Sequence, residues 1–384
     1  MTLQRRQLFK ATAAASLAAG SIALPADAHA RNDDDDDRDA HHSLRARHVF
    51  TSTNAAAGNE VLVFARTGSG LQLRQRIATQ GQGSGAGLGS QGALALSGCG
   101  RYLFVVNAGS HSVTSLRIGA RGLRVMSVVP SGGLGPTSVA ESGGLVYVLN
   151  ADGAGGVMGF ANLRGRLVPI AGSARGLSAA GGTAPAQVGF SDEGDTLIVA
   201  ERATNLLTTY RVLDDGSLGA PQLNPSAGPT PFGFAIDKRG TLLVSEAAGG
   251  AANASTLSSY RFIDAAAQTP MVVSAAVPTQ QTAACWVAIT PNGRFAYTTN
   301  TGSGSVSLFL VAPDGRLTLG QAAAAFVAGS GPLDAVASAD GRQLHVLQGP
   351  LRSVASYRIA ANGSLAAEGS VGGLPPGSAG LVAN

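Results

Sequence analysis

The chain repeats one short pattern seven times, and this limits the fold more than any other feature. Each copy has a strand, a short polar loop, a second strand ending in an aromatic residue or leucine, and a Gly-x-Leu-like turn. The copies begin at His48, Tyr102, Leu145, Thr196, Thr241, Phe295 and Gln343. Their partner strands are 61–64, 113–116, 157–160, 207–210, 257–260, 306–309 and 354–357. Turn leucines stand at 71, 123, 167, 218, 317 and 365, with a gap where the fifth copy lacks the motif, so the period is roughly fifty residues, as suits a four-stranded propeller blade. Asp214-Asp-Gly216, Asp314-Gly315 and Asn362-Gly363 are hairpin signals between alternating strands.

An apolar strand precedes each pair: 93–96, 138–140, 186–190, 232–236, 285–289 and 333–337. These should line a central channel. The seventh is Ala379 to Ala383, at the end of the chain, whereas its blade partners start at His48. The expectation is therefore an all-β, seven-bladed β-propeller over residues 48–384. Its ring is closed by the C-terminal strand joining the N-terminal blade, which removes a long exposed edge. The 53 glycines and the 13% of charged residues suit many tight turns around a core of small side chains.

Residues 1–30 read as an export address. Arg5-Arg6 and Lys10 precede a weakly apolar stretch, Ala11 to Leu24, and Ala28-His-Ala30 forms a cleavage site. The paired arginines resemble a twin-arginine signal, so the twin-arginine export machinery is the expected partner of the precursor. The apolar stretch is too short to span a bilayer. The mature protein is expected outside the cytoplasm, periplasmic or extracellular. Residues 31–47, with Asp33 to Asp37 and His41-His42, read as a solvated acidic tail; metal scavenging is the alternative, but no spacing fixes a coordination geometry. Without residues 1–30 the chain keeps 24 basic and 22 acidic residues, and no basic stripe interleaved with aromatics, which argues against a nucleic-acid partner.

Candidate chemistry lies where the first strand of each copy ends, which is the second strand of its blade, on the face where the innermost strand begins. Those residues are Asn54, Asn107, Asn150, Glu201, Glu246, Asn300 and Gln348. The asparagines could cap local turns or bind ligand, with Asn107, Asn150 and Asn300 the candidates. Glu201 and Glu246 put carboxylates on adjacent blades, where they could divide into acid and base or bind a hard cation. An ordinary pair between Glu201 and Arg202 is the structural alternative. Trp286, the single tryptophan, is a stacking platform or a central plug, and Phe232 adds to an apolar wall. Cys99 and Cys285 fall on opposite faces, which predicts two free thiols. No Gly-x-Ser-x-Gly elbow or zinc spacing occurs. The glycine-rich run Gly81 to Gly89 joins two blades and reads as a flexible loop, not a nucleotide cradle.

Phe104-Val-Val-Asn107, Tyr147-Val-Leu-Asn150, Tyr297-Thr-Thr-Asn300 and the turn Pro291-Asn-Gly-Arg294 resemble the lactonase-type seven-bladed propeller family. That family includes bacterial 6-phosphogluconolactonases and fungal carboxymuconate cyclases and is similar to YVTN-repeat propellers. The resemblance implies lactone ring opening, or the reverse cyclisation, with no cofactor or metal. The family's enzymes carry rim histidines and arginines; the inner strands and rim here lack histidine. Glu201, Arg202 and Glu246 are the nearest catalytic substitutes: a glutamate to activate water and Arg202 to hold an anion. The alternative is a non-catalytic propeller that binds a small molecule or protein segment around Trp286.

Overall fold

The computed structural model describes residues 48–384 except Ser69 and 263–267. The export signal and the acidic tail lie outside the described residues. Among those described, no helix is long and apolar enough to cross a membrane.

Seven antiparallel sheets, each of four strands, form the ring. Blades two to seven take their strands in chain order, over 94–130, 134–169, 185–225, 231–278, 284–326 and 332–371. Blade one is composite: Ala379–Ala383 pairs with His48–Ser52, followed by Glu60–Thr67 and Gly70–Ala78. Its register sets Val49 against Ala383, Phe50 against Val382 and Thr51 against Leu381. Thr51 Oγ1 donates to the Gly380 carbonyl at 2.6 Å, and the His48 amide donates to Asn384 Oδ1 at 2.8 Å. The predicted closure is thus the observed one.

Burial is greatest in the second strand of each blade and falls outward from there, because the inner strands also face the channel and radial sheets diverge at the rim. The second strand of blade four, Thr196–Glu201, is buried along its whole length. The outer strand of blade seven, Leu365–Val371, is mostly exposed. Tyrosines on second strands bind neighbouring blades together. Tyr147 of blade three donates to the Gly216 carbonyl in the blade-four hairpin at 2.6 Å, and Tyr297 of blade six donates to Gly363 of blade seven at 2.8 Å. Gly216 has φ +80, and a Cβ there would lie 2.7 Å from Leu145 Cδ2. Its turn and its blade contact both need glycine.

The closing strand buries Ala379 and Leu381 and completes the ladder of His48–Ser52. Removing residues 377–384 should lower the melting temperature by about 10 °C or more, or prevent folding, since several kcal/mol of burial and a whole ladder are lost. Thermal unfolding followed by circular dichroism tests this, and an unchanged midpoint would refute it.

Candidate functional site

The strand-end residues do share one face. Asn150 pairs with Pro136, Glu201 with Pro185, Glu246 with Pro231, Asn300 with Ala284 and Gln348 with Pro332, at or near the start of each inner strand. Their side chains, however, enter hydrogen-bonded seams within and between blades. Asn107 Oδ1 accepts from Thr79 Oγ1 at 2.7 Å and Asn59 Nδ2 at 3.0 Å, and its Nδ2 donates to Thr114 Oγ1 at 2.9 Å. Asn300 Nδ2 donates to Ser305 and Ser307 hydroxyls at 3.0 and 2.8 Å.

Glu201 and Glu246 occupy the same structural position, and neither is exposed. Glu201 accepts from the Ser178 amide at 3.1 Å, the Ser178 hydroxyl, Thr204 Oγ1 at 2.9 Å and Thr208 Oγ1 at 2.6 Å. Glu246 accepts from Thr256 Oγ1 at 2.5 Å, the Gly228 amide at 3.2 Å and Ser226 Oγ at 3.4 Å. A carboxylate is acceptor-only, so it suits a seam in which every neighbour donates; an amide suits a mixed one. Burial raises the Glu246 carboxyl above the usual carboxylate range, opposed by its hydroxyl and amide donors.

Arg202, Phe232 and Trp286 do converge. The Arg202 guanidinium lies 5.0 Å from the Phe232 ring centroid, and that ring lies 4.9 Å from the Trp286 ring. Arg202 Nε donates to the Ala184 carbonyl at 3.0 Å. The stretch of chain leading from blade one into blade two, residues 79–93, sits on this group. Trp286 Nε1 donates to the Ser90 carbonyl at 2.8 Å. Gln91 exchanges two side-chain hydrogen bonds with the Val287 backbone, and its amide donates to Ala186 at 2.9 Å. Ser90 Oγ donates to Thr137 at 2.8 Å, and the Gly85 amide donates to Asn54 at 2.8 Å. The run read as a flexible loop is instead part of a plug: the run itself is tied to blade one, and Ser90 and Gln91 directly after it are tied to blades three, four and six. A Cβ on Gly83 would fall 2.1 Å from the Asn54 backbone, so the glycines permit this close seating. Asn150 stands apart, donating to the Ser131 carbonyl beside a separate glycine-lined cavity on blade three.

Beyond the plug lies a chamber of about 360 Å³, lined by the inner strands of all seven blades and by Gln91 and Gly92. Its walls are mainly alanine, valine and leucine. Asp334 of blade seven, 4% exposed, lies at the plugged end. The Gly380 amide of the closing strand donates to it at 3.1 Å, and the Gly92 amide of the plug also hydrogen-bonds to it. Burial pushes its carboxyl up to about 7 despite these donors and its own backbone amide. In the sequence the signal for Asp334 is a lone charge inside an otherwise apolar inner strand. The other lining carboxylate, Glu141, accepts from the Gly98 and Gly144 amides at 2.7 and 2.8 Å. No Lys, Arg or His belongs to the described lining.

Cys99 and Cys285 are both free thiols. Among the described residues, no group of three or more His, Cys, Asp or Glu side chains could hold a metal ion.

Replacing Glu201 with Gln puts an NH2 group among donors. It should cost about 1–3 kcal/mol of stability, measured as a lower denaturant midpoint. A midpoint equal to that of the parent protein would show that the seam does not need the carboxylate.

Residues 166–261 match the family described as lactonase, 7-bladed beta-propeller. The fold matches a periplasmic gluconolactonase from Pseudomonas aeruginosa at TM-score 0.70 and 17% identity, covering 88% of this chain and 98% of that one. A protein from Lactobacillus plantarum matches at TM-score 0.71 and 16% identity, covering 88% and 99%. No curated protein matches the chain. The family match runs from the last strand of blade three into blade five and lies within a closed ring of seven four-stranded blades, the architecture that the family's description prints.

Proposed function

We propose that the protein is an exported, periplasmic lactonase-like hydrolase that opens a small lactone in the central chamber, with Asp334 as general base. One observation carries this reading: a buried carboxyl, raised to about 7, at the plugged end of a ligand-sized chamber. A base with that proton affinity suits catalysis near neutral pH. The Asp334 carboxylate takes a proton from water as the water oxygen bonds to the lactone carbonyl carbon. The ring C–O bond then breaks, and the leaving alkoxide receives the proton from Asp334. The product is a hydroxy acid, and the carboxylate is regenerated. The reverse sequence forms a lactone. Arg202, Phe232 and Trp286 act one step removed, by seating the plug that closes the chamber. Their position against residues 88–92 supports this role better than direct contact with substrate.

The second reading is a non-catalytic binding propeller. It is favoured by the chamber's described lining, which offers no cation for a developing oxyanion. Turnover separates the two.

Hydrolysis of a lactone panel, followed by acid release, tests the proposal. Asp334→Asn should lower kcat/KM by about 10² to 10⁴-fold. The parent activity should rise with pH and level off above about 7, because only the deprotonated carboxyl acts as a base. Stability should run the other way. A carboxyl raised on folding stabilises most below its unfolded value of about 3.9, and that contribution is lost as pH rises through about 7. Asp334→Asn should therefore lose less melting temperature than the parent between pH 5 and pH 8. Full activity in the Asn variant would overturn the assignment.

A further inference from the structure

We infer that the chamber selects neutral, weakly polar lactones and rejects phosphorylated, carboxylated and polyhydroxylated ones. This inference rests on the lactonase reading of the same chamber.

Three features point to it. The first is charge. Asp334 and Glu141 are the ionisable groups of the described lining, and both are acidic. A ligand anion about 5 Å from an ionised Asp334, at an effective dielectric of about 20, would bind weaker by on the order of a hundredfold. The second feature is the shortage of free polar partners. The Gln91 amide is engaged with the Val287 backbone. Gln187 binds the Phe234 backbone through both its oxygen and its nitrogen, at 2.6 and 3.0 Å. Glu141 is held by the Gly98 and Gly144 amides. A sugar lactone would thus bury several hydroxyls against Leu94, Val139, Val188, Ala235, Val287 and Leu381. Each hydroxyl left without a partner costs about tenfold or more in affinity. The third feature is size, because about 360 Å³ holds a lactone ring with a short hydrocarbon substituent.

The same charge helps the product leave. Ring opening turns a neutral ester into a carboxylate, and the regenerated Asp334 repels it. A chamber built to hold an anionic substrate would instead retain the anionic product.

The experiment compares kcat/KM of the parent protein at pH 8 on four lactones. They are an alkyl-substituted δ-lactone, the same ring with a terminal carboxylate on the chain, glucono-δ-lactone, and its 6-phosphate. The alkyl lactone should be preferred at least tenfold over glucono-δ-lactone and on the order of a hundredfold over either anion. Calorimetry with the matching alkyl and carboxylated δ-lactams reads binding without turnover. The parent protein should prefer the alkyl lactam, and Asp334→Asn should narrow the gap by tenfold or more. Preference for the sugar or an anionic lactone overturns the inference and leaves the lactonase reading standing. No turnover of any lactone removes the lactonase reading, and the lactams then decide. Binding of the alkyl lactam over the carboxylated one keeps the inference for the ligand class. Equal, reversed or absent binding overturns it.

Discussion

In blade one the last strand of the chain, Ala379–Ala383, hydrogen-bonds to the first, His48–Ser52, and the rest of the ring depends on that pairing. Radial sheets bury their faces only against neighbours on both sides. An open ring would expose the faces of two blades and a strand edge. The closing strand also contributes to the chamber. Its Gly380 amide is one of the backbone donors to Asp334, so the group proposed for chemistry is held by the contact that seals the fold.

The polar rim follows from the same packing. Where blades meet, the ends of the second strands are buried, and their side chains must satisfy whatever groups surround them. Asn107 meets donors and acceptors, and an amide serves both. Glu201 meets only donors, and a carboxylate serves those. The difference between blades that suggests an acid–base pair in the sequence has a local hydrogen-bonding cause in the structure.

The plug divides the channel into a closed end and a chamber. Small glycines let residues 81–92 cross the rim, and Trp286 and Gln91 fasten them to blade six. The chamber is therefore apolar-walled, with Asp334 at the plugged end. That arrangement differs from the one the family resemblance implies, in which rim histidines and arginines meet the substrate.

Blade number, strand order, the closing strand and the shared face of the strand ends were all legible in the sequence. They depend on local signals: period-two alternation, Asp-Gly and Asn-Gly turns, and a repeat of roughly fifty residues. Three matters needed tertiary structure. Glu201 looks like a rim carboxylate until Ser178, from the stretch before its blade, is seen to hold it. The glycine run looks loose until Trp286, 196 residues from Ser90, is seen to pin it. Asp334 looks like an irregularity in an apolar strand until Gly92 and Gly380 bring it to the end of the chamber. In each case the deciding partner comes from a distant part of the chain. Local sequence sets where a side chain sits along its strand, but its environment is made by the neighbouring blades.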